Sequence, residues 1–232
     1  MNEAIILAGG LGTRLRSVVQ ELPKSLAPIN DKPFLEYLLD YLINQGIEQF
    51  IFSVGYKSSH IEQHFGNNFK NCMITYAIEE EPLGTGGGIK FAMEKVNNEH
   101  ALVVNGDTIF LVNVKELFDF HTTQNADVSL ALKPLKAFDR YGSVEIENDQ
   151  IASFKEKQFV DEGVINGGVY LFNKSVFSQF DLPEKFSIEK DFFENFANEL
   201  SLGAFVTDQY FLDIGIPEDF EKAQHEFKQL KY

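Results

Sequence analysis

Apolar positions recur along this chain with two different periods, and the changes of period divide it into elements. Residues 5–8 (Ile-Ile-Leu-Ala) form an unbroken apolar run, the pattern of a strand buried on both faces. Residues 33–45 carry Phe34, Leu35, Leu38, Leu39 and Leu42 at helical spacing, and Gly46 follows as a stop signal. The alternation continues with a strand over 49–54, a short helix over 58–65 and a strand over 73–78. A helix over 86–96, despite its glycines, a strand over 101–104 and a helix over 114–121 come next. Strand and helix in turn predict parallel strands joined by crossover helices, with both faces of the sheet covered.

After residues 127–132 the texture changes. Residues 143–147 and 151–155 flank Asn148-Asp149 and read as a hairpin, and 164–172 reads as a further strand. Helical stretches at 175–180 and 188–200 precede strands at 204–207 and 210–214. Phe192, Phe193 and Phe196 read as one helix's buried stripe. A last helix covers 218–230, with Pro217 near its start. No linker, repeat or low-complexity segment interrupts the series, so residues 1–232 read as a single α/β domain.

Composition narrows the function. Hydrophobic residues at 44% and charged residues at 24% suit an ordinary soluble globular protein. A net charge of −15 argues against a nucleic-acid partner. It also means that any phosphate ligand must be drawn in by a local cationic site. One cysteine excludes an intramolecular disulfide framework, and Cys72 lies in the apolar run 72–76, where a buried thiol is expected. Neither a signal peptide nor an apolar segment of spanning length is visible, so a cytoplasmic protein with no membrane partner is expected.

The candidate chemistry begins where the first strand empties into Gly9-Gly10-Leu11-Gly12-Thr13-Arg14-Leu15-Arg16, followed by Pro23-Lys24-Ser25-Leu26-Ala27-Pro28. Backbone N–H groups of such a loop can converge on an anion. Arg14 offers a bidentate fork and Lys24 a point charge, the pair a nucleoside triphosphate needs. Leu7, Ala8, Gly9, Gly10, Gly12 and Thr13 are therefore nucleotide-binding candidates. The loop is not a Walker A motif. It also lacks the third glycine of the dinucleotide fingerprint, which removes a hydride-transfer dehydrogenase. Half of the chain, about 1–125, reads as nucleotide-binding; about 126–232 reads as an acceptor-binding half that returns to the same sheet.

Asp107 follows the run Val103-Val104-Asn105-Gly106, and Asp213 sits in Tyr210-Phe211-Leu212-Asp213-Ile214-Gly215. Ligands of parallel sheets bind at carboxyl ends of strands, where an Asp can hold Mg2+ among triphosphate oxygens. A turn or helix-capping aspartate is the structural alternative at both places. His60 and His64 have the spacing of a helical metal pair but no third ligand, and read as a solvated face. No serine triad or nucleophile elbow is present.

The string Gly-Gly-x-Gly-Thr-Arg-Leu with its downstream Pro-Lys resembles the signature of the sugar-1-phosphate nucleotidyltransferases, and the resemblance extends over nearly the whole chain. It implies a Rossmann-like, mixed, mostly parallel sheet flanked by helices, of the nucleotide-diphospho-sugar transferase type. It implies that Asp107 and Asp213 together bind the metal, although Ile216 stands where the family more often has Thr. Leu83-Gly84-Thr85, after Glu79-Glu80-Glu81-Pro82, resembles the family's base-binding loop. There the main chain near Leu83 and Gly84 would read the base edge, and Glu79 or Glu80 would accept from guanine N1–H and N2–H2. Asn105 joins this nucleotide set, and the triple glycine 86–88 leaves the next helix start unusually bare.

On the acceptor side, Tyr141-Gly142, Phe154-Lys155-Glu156-Lys157 and Ile165-Asn166-Gly167-Gly168 resemble sugar-phosphate segments. By that resemblance Glu156 bonds sugar hydroxyls, Lys157 holds the acceptor phosphate, and Asn166, Tyr141 and the Gly142 backbone complete the pocket. Within the family, Phe34-Leu35-Glu36-Tyr37-Leu38, Ser53-Val54-Gly55-Tyr56-Lys57 and the glycine-loop strings look most like the D-glycero-α-D-manno-heptose 1-phosphate guanylyltransferases. The implied reaction is attack of a sugar 1-phosphate on the α-phosphorus of an NTP, here GTP, with Arg14 and Lys24 as catalytic cations and Mg2+ as cofactor. The implied product, GDP-heptose, serves bacterial surface polysaccharide, and a monomer or homodimer is expected. A uridylyl-, cytidylyl- or thymidylyltransferase is the nearest alternative. A non-catalytic nucleotide-sugar-binding module is the alternative of another class, disfavoured by the presence of Arg14, Lys24 and both aspartates.

Overall fold

The apolar run near the amino terminus folds as strand β1 (Glu3–Leu7), an interior strand of the sheet in a computed structural model that describes residues 2–10, 15 and 22–232. Gly12, Thr13 and Arg14 lie outside the described residues. Lys24–Leu26 form a 3-10 turn, and β2 (Pro28–Ile29) and β3 (Lys32–Pro33) a small hairpin. Then follow α1 (Phe34–Asn44), β4 (Gln49–Val54), α2 (Ser58–Phe65), β5 (Asn68–Phe69), β6 (Cys72–Ile78), α3 (Gly84–Met93), β7 (His100–Asn105), β8 (Thr108–Phe110) and α4 (Val114–Thr123). The second half contributes β9 (Val128–Phe138), β10 (Ser143–Glu147), β11 (Gln150–Phe154), β12 (Val160–Asn173), β13 (Leu202–Val206), β14 (Phe211–Asp213) and α5 (Pro217–Glu226).

Among the described residues, ten strands form one mixed sheet in the order β10-β11-β13-β9-β12-β7-β1-β4-β6-β5. The stretch β7-β1-β4-β6 is parallel throughout, as strand–helix alternation requires. β12 joins it antiparallel, with Val169 opposite Val104, and so hydrogen-bonds the second half onto the same sheet. β9 runs antiparallel to β12, and β13 parallel to β9. Alternate residues of β1 feed opposite cores. Ala4 and Ile6 pack with the buried face of α1, whereas Ile5 packs with Ile89 of α3 and with Phe192 and Phe193.

Where the elements differ from the sequence reading, tertiary packing decides. The stretch 188–200 is π-helical only over Ile188–Glu194. Its Phe192 and Phe193 are fully buried against Phe172, Phe177 and Phe186, so an aromatic cluster rather than a regular helical stripe sets its course. β12 extends beyond 164–172 because residues 160–163 continue its ladder with β9 and Asn173 continues that with β7. Cys72 is a buried free thiol. His64 pairs with Glu36 at 2.7 Å, and no group of three His, Cys, Asp or Glu poised for a metal exists among the described residues. No helix among them is long and apolar enough to cross a membrane.

Candidate active site

The carboxyl ends of β1 and β7 are tied together, since Gly106 N–H donates to the Leu7 carbonyl at 2.9 Å. Just beyond them the short ladder between β8 and β14 places Asp213 opposite Thr108, next to Asp107. The 3-10 turn delivers Lys24 to the same point. Its Nζ donates to Asp107 Oδ2 at 2.7 Å and to Asp213 Oδ1 at 3.4 Å. Burial, and then the charge of Asp107, push the Asp213 carboxyl above the usual carboxylate range, against the opposing pull of Lys24. Two carboxylates are thus held together by one cation. The Ser25 hydroxyl, buried in the wall of the same cavity, has no hydrogen-bond partner among the described residues. Leu7, Ala8, Gly10, Asn105 and Asp107 line this cavity.

Leu7, Gly10, Asn105 and Asp107 also face a second cavity, walled by Gly9, Ser53, Glu79, Pro82, Gly84 and Thr85. The Glu79 carboxylate is fixed there by Ser53 Oγ–H at 3.1 Å and Leu83 N–H at 3.0 Å. A Cβ on Gly88 would stand 2.8 Å from Glu79 Oε1 and 3.0 Å from Ser53 Oγ, so this glycine is the space the carboxylate occupies. Glu80 is exposed and outside this wall. The Leu83 main chain is committed within the protein, because its carbonyl accepts from Phe186 N–H at 3.0 Å. Nor is the start of α3 bare. The Phe186 carbonyl accepts from Gly86 and Gly87 N–H at 3.0 and 3.4 Å, and Thr85 Oγ1 accepts from Ile188 N–H at 3.0 Å. The Phe186 ring lies where a Cβ on Gly86 would fall, 2.2 Å away.

Tyr141, Gly142, Glu156, Lys157 and Asn166 line a third cavity. Tyr141, Lys157 and Asn166 continue into a fourth that reaches Asn105 and Asp213, so the acceptor-side residues open onto the Lys24 cluster. Burial, then the nearby Asp213 charge, push the Tyr141 hydroxyl up to about 12, keeping it a neutral donor. Side chains that the sequence reading passed over also stand here. Arg140, 2.7 Å from Asp219, directly precedes the Tyr141-Gly142 pair. Glu189 carries no signal in a stretch dominated by phenylalanine. Ser53 and Thr108 are small polar ends of strands.

A model of the nucleotidyl transferase family matches residues 3–229. The chain is 53% identical, over 97% of its length and 98% of the relative's, to D-glycero-α-D-manno-heptose 1-phosphate guanylyltransferase of Aneurinibacillus thermoaerophilus. It is 48% identical to the protein of the same name from Campylobacter jejuni, over 94% of this chain and 96% of that one. The crystal structure of HddC from Yersinia pseudotuberculosis superposes with a TM-score of 0.88 at 38% identity, covering 98% of this chain and 100% of that one. HddC has also been solved in complex with GMP-PN.

Proposed function

The chain belongs to the nucleotidyl transferase family, and from that premise we propose that it transfers a guanylyl group from GTP to D-glycero-α-D-manno-heptose 1-phosphate, forming GDP-heptose and pyrophosphate. The observation that carries the reading is the meeting of Lys24, Asp107 and Asp213 where nucleotide-side and acceptor-side cavities join. The choice of GTP and heptose draws on the relatives' names and on the nucleotide-bound HddC.

GTP would lie along the glycine loop, with guanine toward Glu79, whose carboxylate accepts N–H hydrogens of the base edge. The heptose phosphate would lie between Lys157 and Tyr141, with its phosphate toward Lys24. A phosphate oxygen of the sugar attacks the α-phosphorus; the bond from that phosphorus to the bridging oxygen breaks, and pyrophosphate leaves with the electron pair. The attacking oxygen is already anionic, so no strong base is required. Alignment and charge neutralisation supply the rate. Lys24 neutralises charge that develops between the two phosphates, and Arg14 grips the triphosphate.

Asp107 and Asp213 fit a divalent cation such as Mg2+. They are hard oxygen donors, and the Asp107 charge that, after burial, raises the Asp213 carboxyl is offset by added positive charge. That cation would supply charge neutralisation at the phosphates, whose oxygens and water would complete its shell.

The test is pyrophosphate release with Mg2+, crossing GTP, UTP, CTP, dTTP and ATP against heptose, mannose and glucose 1-phosphates. Release confined to GTP with the manno-configured heptose phosphate is expected. A different productive pair would overturn the substrates, and tight nucleotide binding without release from any pair would overturn the reaction.

A further inference from the structure

The hydrogen-bond inventory of the acceptor cavity singles out a carboxylate that the motifs do not name. Asn166, the expected partner of sugar hydroxyls, has spent both amide hydrogens. Its Nδ2 donates to the Tyr170 hydroxyl at 2.9 Å and to Glu189 Oε1 at 2.7 Å. Its Oδ1 accepts from Gly168 N–H at 3.0 Å. Tyr170 is buried and packed against Phe172 and Phe193, so that end of the network is fixed. Glu156 is 85% exposed and pairs with Lys190 at 3.3 Å. Glu189 is exposed too, and differs in being tied to Asn166 at the cavity wall rather than to a surface lysine. A carboxylate offers about four acceptor positions, and Asn166 takes one of them. Glu189 also lines both the acceptor cavity and the passage that reaches Lys157 and Asp213.

Its backbone is held as a binding residue's should be. Ile188 N–H is bonded to Thr85, and Phe186 is seated on the glycines of α3. The segment that fixes the base-side helix therefore carries Glu189 to the sugar side.

We propose that Glu189 is a further sugar-binding residue, accepting hydroxyl hydrogens of the sugar 1-phosphate while holding the Asn166 amide in place. The inference rests on the sugar-phosphate reading above and names the group that senses the hydroxyls. A carboxylate in this position favours a polyhydroxylated acceptor over a deoxygenated one, because a missing hydroxyl removes a charge-assisted hydrogen bond.

Calorimetric binding of heptose 1-phosphate to the full chain, with and without bound GTP, reads the proposal independently of turnover. Glu189→Ala should weaken sugar phosphate binding by about tenfold or more, with GTP affinity and melting temperature unchanged. Glu189→Gln, which still accepts from Asn166, should fall between. Among monodeoxy mannose 1-phosphates, one should bind wild type and Glu189→Ala equally, identifying the hydroxyl received. Unchanged sugar phosphate affinity in Glu189→Ala would overturn the proposal, as would equal loss of GTP and sugar binding with a lowered melting temperature. Sugar phosphate binding that depends on Glu189 without pyrophosphate release would leave this inference standing and overturn the proposed reaction instead.

Discussion

Asp107 and Asp213 belong to opposite halves of the chain yet share one ammonium group. Both were legible because each closes an apolar run; Asp107 follows a strand of the parallel sheet, and the separate β8–β14 ladder brings Asp213 beside it. Lys24 was legible from its place after Pro23, downstream of the glycine loop. Glu189 was not, because its neighbours are core phenylalanines and its role arises only from where β12 places Asn166. Lys24 faces water over only 15% of its side chain, and it links the carboxylates without supporting the core. Lys24→Ala should therefore lower kcat by about 10²–10³-fold, the usual cost of losing one preorganised charge donor. Circular dichroism should stay close to wild type, with the melting temperature lowered as Asp107 and Asp213 lose their shared cation. Near wild-type turnover would remove Lys24 from the chemistry.

At the scale of elements, α3 shows how one residue type serves two ends. By sequence its glycines leave the helix start bare, and the space around two of them shows why they are there. At Gly86 a methyl group would enter the buried Phe186 ring, an overpacking that costs about 1–3 kcal/mol. The gain in helix propensity of about 1 kcal/mol offsets part of that. At Gly88 the atoms in the way are the ends of the Glu79 and Ser53 side chains, which can yield. Gly86→Ala should thus lower the melting temperature. Gly88→Ala should leave it equal or higher while raising KM for GTP by about tenfold, because the displaced carboxylate no longer meets the base. Thermal melts and GTP kinetics on the two variants check this pair, and a stable Gly86→Ala or an unaltered KM in Gly88→Ala would contradict it. Element order was readable for the first half, where strand and helix alternate. It was less so for 188–200, because long-range aromatic packing overrides helical periodicity there.

Over the whole molecule, one continuous sheet presents a nucleotide cavity and an acceptor cavity that meet at Lys24, despite a net charge of −15. An acidic protein that gathers two phosphate-bearing substrates depends on this local cationic point, and the joined cavities imply that the acceptor's own phosphate attacks the α-phosphorus and stays in the product. The measurement that tests this most directly uses heptose 1-phosphate labelled with 18O in its phosphate, incubated with GTP and Mg2+, and mass spectrometry of both products. Direct attack on the α-phosphorus predicts all of the label in the sugar-linked phosphate of GDP-heptose and none in pyrophosphate. Label appearing in pyrophosphate, or unlabelled GDP-heptose, would contradict the account.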